Sequence, residues 1–215
     1  MAAITFGTDG WRAVIADDYT FDNVRKVALA FARYYKKHRL IGNGVLVGGD
    51  ARFGSQDFAE AAAQVIASQG IRVLLADGVI STPMLSLGIV RKKLAAGVMI
   101  TASHNPPEWN GFKIKAEFGG SALVADVKKV EALVHDIVAK GTQPKLRPMD
   151  ELRKEGLVKT VNLHTLYIAD IKKKIDLAAI EASGMRIAYD VMYGAAYGVM
   201  GHLLPSVTTM HDEHN

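Results

Sequence analysis

Cysteine is absent from the 215-residue sequence. A disulfide framework and any thiolate metal centre are therefore excluded, and a reducing, cytoplasmic setting is the default expectation. Aromatic residues make up only 7% of the chain and do not interleave with a basic stripe. The net charge of +4 comes with lysines in short solvated runs such as 172–174. Nucleic acid needs clustered cations and stacking platforms, so it is not an expected partner, whereas a small anionic substrate needs only a few well-placed cations. No apolar run approaches the ~18 residues that cross a bilayer, so no membrane partner is expected. The first twelve residues carry Asp9 and no hydrophobic stretch, so no secretory leader is expected either.

What is present is ordinary globular composition, 49% hydrophobic and 22% charged, enough for one large domain or up to two ordinary ones. Val24, Val27, Ala28, Phe31 and Tyr35 recur at helical spacing. Residues 44–50, GVLVGGD, form a short β-branched run expected to be a buried strand. Phe58, Ala62, Val65 and Ile66 share a face of a second helix, with Ser55 as its expected cap and Gly70 as its stop. IRVLLAD and AAGVMIT are further strands, separated by a helix with Pro83 in its first turn. The alternation predicts an α/β fold, a mostly parallel mixed sheet sandwiched by helices.

Further along, Ser121 is the expected cap of a helix over 122–140, with Val124, Val127, Val130, Val134, Ile137 and Val138 along one face. Gly141, Pro144 and Pro148 then interrupt the pattern, so domain 1–140 is expected to be followed by a linker over 141–160. A second α/β unit over 161–215 opens with a helix over 163–182, then the strand MRIAYDV and a glycine turn, YGAAYG. A short helix to Leu204 and the start of a strand at Val207 follow. With one complete strand, this unit reads as cut short, leaving apolar surface for self-association.

In parallel sheets, ligands collect beyond the carboxyl ends of the strands. Three polar or glycine-rich loops fall there: GGDARFGS, DGVISTP and TASHNPPEWNG. In the last, Ser103 adjoins His104. A hydrolase dyad is disfavoured, because adjacent residues in an extended loop usually point apart and no G-x-S-x-G elbow occurs. A rigid surface turn is the simplest alternative. Against it stands the density of phosphate-friendly groups: the Ser103 hydroxyl, His104 and Asn105, and the cations Lys113 and Lys115. Pro106 and Pro107 stiffen the loop and lower the entropic cost of holding these groups in place. Asp50 and Arg52 read as a structural pair, and Trp109 as a loop anchor. His135, His164, His202, His211 and His214 are too scattered for a metal motif.

The loop over 101–115 resembles the phosphoserine loop of the α-D-phosphohexomutase superfamily, which includes phosphoglucomutase and phosphomannomutase. FGTDGWR (6–12), GGDARFGS, STP (81–83) and YDVMYGAAYG resemble further motifs of that family, in the same order. The resemblance implies a reversible 1,6-phosphoryl shift on a hexose phosphate, through a hexose 1,6-bisphosphate activator and a phosphorylated enzyme. It implies Ser103 as phosphoryl carrier and, through its phosphate, one Mg²⁺ ligand. It further implies Lys113 as a general acid/base, Arg12 facing the reacting phosphoryl group, and His104 beside the phosphoserine. FGTDG is shared with enzymes acting on glucosamine phosphate, while GFKIK leans to the glucose/mannose branch.

One departure matters. The family's metal loop, of the type Asp-Gly-Asp-x-Asp-Arg, has no counterpart, since no Asp-x-Asp-x-Asp occurs. Hard cations want several oxygen ligands, so Mg²⁺ binding by this chain is expected to be weak or absent. The expectation is an amino-terminal mutase portion, inactive alone. The alternative is a sugar-phosphate-binding or interaction module without catalysis.

Overall fold

The computed structural model describes residues 4–7 and 10–213. Thr8 and Asp9 of the FGTDGWR motif, and His214, lie outside them. The first unit runs β1 (Gly10–Val14), α1 (Phe21–Tyr35), β2 (Val45–Gly49), α2 (Ser55–Ser68), β3 (Val73–Val79), α3 (Thr82–Arg91), β4 (Ala96–Ile100), β5 (Trp109–Ala116) and α4 (Val124–Ala139). It continues through α5 (Met149–Lys154) and β6 (Val158–Val161). The sheet order is β1-β5-β4-β2-β3-β6, with β5 antiparallel to both neighbours and the remaining pairs parallel. The mixed, mostly parallel α/β fold read from the sequence is the fold observed.

Burial on both faces explains the continuous apolar runs of β2 and β4, in which every residue is buried. One face packs against α1, α2 and α4, through Val24, Phe31, Phe58, Ile66, Val130 and Phe112. The other packs Leu46 and Met99 under Leu85 and Ile89 of α3. Thr20 caps α1, its hydroxyl accepting from the Asn23 amide at 3.3 Å.

Several local expectations are corrected. Ser55 does not cap α2; Gly54 occupies that position in the left-handed conformation, and the Ser55 side chain turns inward to Asp50 and Asn110. The fourth helix starts at Val124 after Leu123, and Ser121 instead faces Lys115. Val124 and Val138, assigned to the buried face, are 55% and 44% exposed. Residues 141–160 are not a bare linker. They carry α5 and most of β6, which completes the sheet beside β3. The exposed edge of β3 supplies a row of backbone partners that no local pattern announces. Leu152 and Val158 are buried in the main core, and the Gln64 side chain and the Ser68 hydroxyl pin Arg147 by its backbone.

Beyond β6, the helix expected over 163–182 is two, α6 (His164–Lys174) and α7 (Leu177–Ala182). The break falls at extended Ile175 and at Asp176, which caps α7. β7 (Ala188–Asp190) and β8 (Thr208–Met210) pair in parallel as a separate two-stranded sheet, with α8 (Val199–Leu203) between them. Met185 and Met192 are 62% and 76% exposed there, consistent with the expected uncovered apolar surface.

The α6 helix is clasped to the first unit. Leu163 and Tyr167 join the core beneath α3, and the Asp170 carboxylate bonds Arg91 of α3 and, at 2.6 Å, Lys174. Lys174 and then Arg91 hold the Asp170 carboxyl below its usual range. A depressed folded-state pKa stabilises above the unfolded value and stops doing so as pH falls through the folded one. Replacing Asp170 by Asn is therefore expected to lower the unfolding midpoint at neutral pH. The gap from wild type should close below about pH 4. Thermal unfolding from pH 2.5 to 7 reads this, and a gap independent of pH would rule out the clasp as an ionic contact.

Candidate active site

The three loops singled out in the sequence follow the carboxyl ends of the parallel strands β2, β3 and β4. Those after β2 and β4 meet. Asp50 is joined to β4 through its amide, which donates to the Ile100 carbonyl at 3.1 Å. Its carboxylate accepts from the Thr101 hydroxyl, from the Ser55 hydroxyl at 2.9 Å and from the Arg52 amide at 3.1 Å. Ser55 in turn accepts from the fully buried Asn110 side chain at 2.9 Å. Asn110 also holds the first turn of β5, accepting from the Gly111 amide at 2.8 Å. A closed polar network thus ties four segments together at the sheet's end.

Ser103 sits on this platform, exposed, with a left-handed backbone (φ 59°). That conformation costs a non-glycine residue about 1–2 kcal/mol, so the surroundings must enforce it. Two groups do so. The Thr101 hydroxyl accepts from the Ser103 amide at 2.9 Å. The Arg52 guanidinium donates to four carbonyls of the loop: Ser103 (2.8 Å) and Asn105 (2.6 Å) through Nη2, Pro106 (2.8 Å) and Trp109 (3.0 Å) through Nη1. Asp50 and Arg52, read as a structural pair, therefore act on the serine loop more directly than on each other; their side chains approach only to 3.7 Å.

The other predicted site residues fall nearby. The row Arg12, Gly111, Thr101 crosses β1, β5 and the end of β4: Arg12 faces Gly111 in register, and the Thr101 amide donates to the Gly111 carbonyl at 2.9 Å. Arg12 lies over Gly111, its Cγ only 3.0 Å from where a Cβ on that glycine would stand. Lys113 is 8% exposed and pairs with Gly10, so it stands diagonally beside Arg12 on the same face of the sheet. Trp11, Phe112 and Ile114 point to the opposite face, into the main core. Lys115 is one step farther from Ser103, at 3.4 Å from Ser121, and belongs to the strand's far end.

His104 Nδ1 comes within 3.4 Å of Ser103 Oγ, closer than adjacency in an extended loop would allow, because the Ser103 backbone doubles back. Among the described residues no carboxylate orients the far side of that ring, so the third member of a hydrolase triad is lacking. The remaining described histidines are accounted for in part: His135 and His164 bond the carbonyls of Ile4 and Val79, and His211 bonds Asp190.

A cleft of about 550 Å³ opens over the serine, lined by Asp50, Arg52, Phe53, Ser103, Asn105 and Pro107. Tyr193, Gly194 and Ala195, from the turn after β7, close its other side. The size suits a small polar ligand. Sequence reasoning missed Thr101, Ser55 and Asn110. Of these, only Thr101 left a local trace, a hydroxyl two residues before the serine in a turn-like stretch.

Residues 3–140 match the phosphoglucomutase/phosphomannomutase family's alpha/beta/alpha domain I. The chain belongs to the phosphoglucomutase/phosphomannomutase family. It is 30% identical over 203 residues to a phosphoglucomutase of Komagataeibacter xylinus, covering 90% of this chain and 36% of that protein. It is also 30% identical over 192 residues to a phosphoglucosamine mutase of Prochlorococcus marinus, covering 89% and 39%. A crystal structure assigned as a phosphomannomutase of Thermus thermophilus superposes with a TM-score of 0.81 at 32% identity, covering all of this chain and 47% of that one. The family's members are phosphohexomutases. The chain spans less than half the length of each of these relatives.

The family generally uses Mg²⁺. Among the described residues no three His, Asp or Glu side chains converge. Asp50, the carboxylate in the cleft, already accepts from Thr101, Ser55 and Arg52. The Ser103 hydroxyl and the Asn105 side-chain oxygen remain in the cleft, and a hard divalent cation wants about six oxygens. The described residues do not make a Mg²⁺ site.

Proposed function

We propose that this chain carries the phosphoserine half of a phosphohexomutase site, with Ser103 as phosphoryl carrier for a hexose phosphate. The observation that carries the reading is the presentation of Ser103. It is an exposed hydroxyl held in a left-handed turn at a strand end, beside a sheet face bearing Arg12 and Lys113. In phosphoryl transfer, charge spreads over the equatorial oxygens, so positioning and fixed positive charge do most of the work. Ser103 Oγ would form the new O–P bond as the ester bond of a hexose 1,6-bisphosphate breaks. The serine proton would leave through a neighbouring base and the sugar oxygen would regain one. Arg12 suits the planar, bidentate hold on the phosphoryl group. Lys113, largely screened from water, suits the proton traffic, and His104 the hydroxyl's orientation.

No step is assigned to Mg²⁺, for which the described residues supply too few oxygen ligands. Full turnover would need groups these residues do not bring together. In a coupled assay with glucose 1-phosphate, Mg²⁺ and the bisphosphate activator, the isolated chain is expected to turn over at least about 10³-fold more slowly than a phosphohexomutase working at an ordinary ~10 s⁻¹. Peptide mass spectrometry should still find one phosphate, on Ser103. Turnover at ordinary enzyme rates would refute the partial-site reading. A loop that never takes phosphate would refute the carrier role and favour a module that binds hexose phosphates without reacting. Glucose, mannose and glucosamine phosphates all remain in the substrate class. We further propose a cytoplasmic setting and self-association through residues 161–215.

A further inference from the structure

Arg52 lines the cleft beside the serine, and an arginine in such a place would ordinarily be assigned to the substrate phosphate. The geometry excludes that use. Both terminal nitrogens are committed to backbone carbonyls, two each, and Nε faces Asp50 at 3.7 Å. The side chain is only 14% exposed. The four carbonyls belong to residues 103, 105, 106 and 109, so one rigid planar group spans the entire turn from the serine to the start of β5. Only a guanidinium offers donors at those angles; an ammonium has three hydrogens converging on one atom.

We infer that Arg52 is a positioning residue: it holds the Ser103 backbone in its left-handed state and so fixes the direction from which the hydroxyl meets phosphorus. The proposal rests on Ser103 being the phosphoryl carrier. Its energetic logic is that of preorganisation. When Arg52 is lost the left-handed state keeps the Thr101 hydroxyl and the turn bond from the Asn105 amide to the Ala102 carbonyl at 3.1 Å, which together only about match a backbone cost of about 1–2 kcal/mol, so the serine is no longer held in one state. Pro106 and Pro107 limit how far the loop can wander, but neither acts at residue 103 itself. A misplacement of about 1 Å at a reacting atom costs on the order of 10²-fold in rate. The phosphate's own binding groups, Arg12 and Lys113, stand on β1 and β5 and stay in place.

The test uses the full chain as wild type, Arg52→Lys and Arg52→Ala. Each is incubated with a hexose 1,6-bisphosphate, and phosphate on the Ser103 peptide is followed over time, so that one slow transfer is read by accumulation. Dependence on bisphosphate concentration separates binding from transfer, and thermal unfolding reports the fold. The maximal transfer rate should fall about 10²-fold in both variants, the half-saturating concentration should change less than about threefold, and guanidinium ion should restore at least about tenfold of the rate to Arg52→Ala alone. Arg52→Lys keeps the charge and guards against simple unfolding. Wild-type rates in either variant would overturn the proposal. So would a loss seen only as weaker saturation, which would make Arg52 a phosphate ligand, or a loss that guanidinium leaves untouched. A wild-type chain that takes no phosphate at Ser103 would overturn the carrier reading itself, and this proposal with it.

Discussion

Ser103→Ala is expected to remove all covalent phosphate from the 101–115 loop and to abolish transfer from a hexose 1,6-bisphosphate, a loss beyond about 10³-fold. The fold should hardly notice. Ser103 is exposed, and among the described residues its hydroxyl touches only His104, at 3.4 Å. The contacts that shape the loop use backbone atoms: the Ser103 amide to Thr101 and the Ser103 carbonyl to Arg52. Alanine keeps both, and its left-handed state is no easier than serine's, so stability should stay within about 0.5 kcal/mol. Ser103→Gly sharpens the separation, because glycine adopts φ near 59° without penalty. That variant should unfold at a slightly higher temperature, by about 1 kcal/mol of relief, and be equally unable to carry phosphate. Peptide mass spectrometry and thermal unfolding on the same samples decide the matter. Phosphate persisting in the loop of the alanine variant would sink the assignment of the carrier.

Gly10→Ala is expected to be the most damaging small substitution at the site. Gly10 has φ 151°, outside the range a side chain tolerates, and its Cβ would stand 2.4 Å from the Phe112 carbonyl oxygen and 2.9 Å from the Lys113 Cα. Both obstacles are backbone of the paired strand, so no rotamer change relieves the clash; β1 and β5 must part. Overpacking of this kind costs about 3 kcal/mol. For a chain of this size that lowers the unfolding midpoint by roughly 10 °C. It should also displace Arg12 and Lys113, which flank the same pairing, so transfer to Ser103 should fall even in the folded fraction. Gly42→Ala is the control: nothing lies within 4 Å of its Cβ position, and its φ is ordinary. A Gly10→Ala protein as stable as the Gly42→Ala control would contradict the close β1–β5 approach.

Local chemistry determined much of this protein in advance. Helical spacing picked out the buried faces of α1 and α2, and unbroken apolar runs picked out β2, β3 and β4. These are properties of neighbouring residues, repeating every two or every 3.6 positions, so they can be read one stretch at a time. From them followed the parallel sheet and the placement of Ser103 beyond a strand's end. The serine loop was legible because its residues are contiguous.

What only the tertiary structure decided are relations between residues distant in the chain. The polar network joining Asp50, Thr101, Ser55 and Asn110, and the guanidinium of Arg52 spanning four carbonyls, link residues more than 50 positions apart. A hydrogen bond of that kind leaves no periodic trace, and serine at 55 looks locally like a helix cap. The recruitment of β6 was equally hidden, because Pro144 and Pro148 mark the segment as irregular while the vacancy it fills lies on β3. Strand pairing is decided by which edge remains open when the sheet assembles, and that is a property of the folded whole.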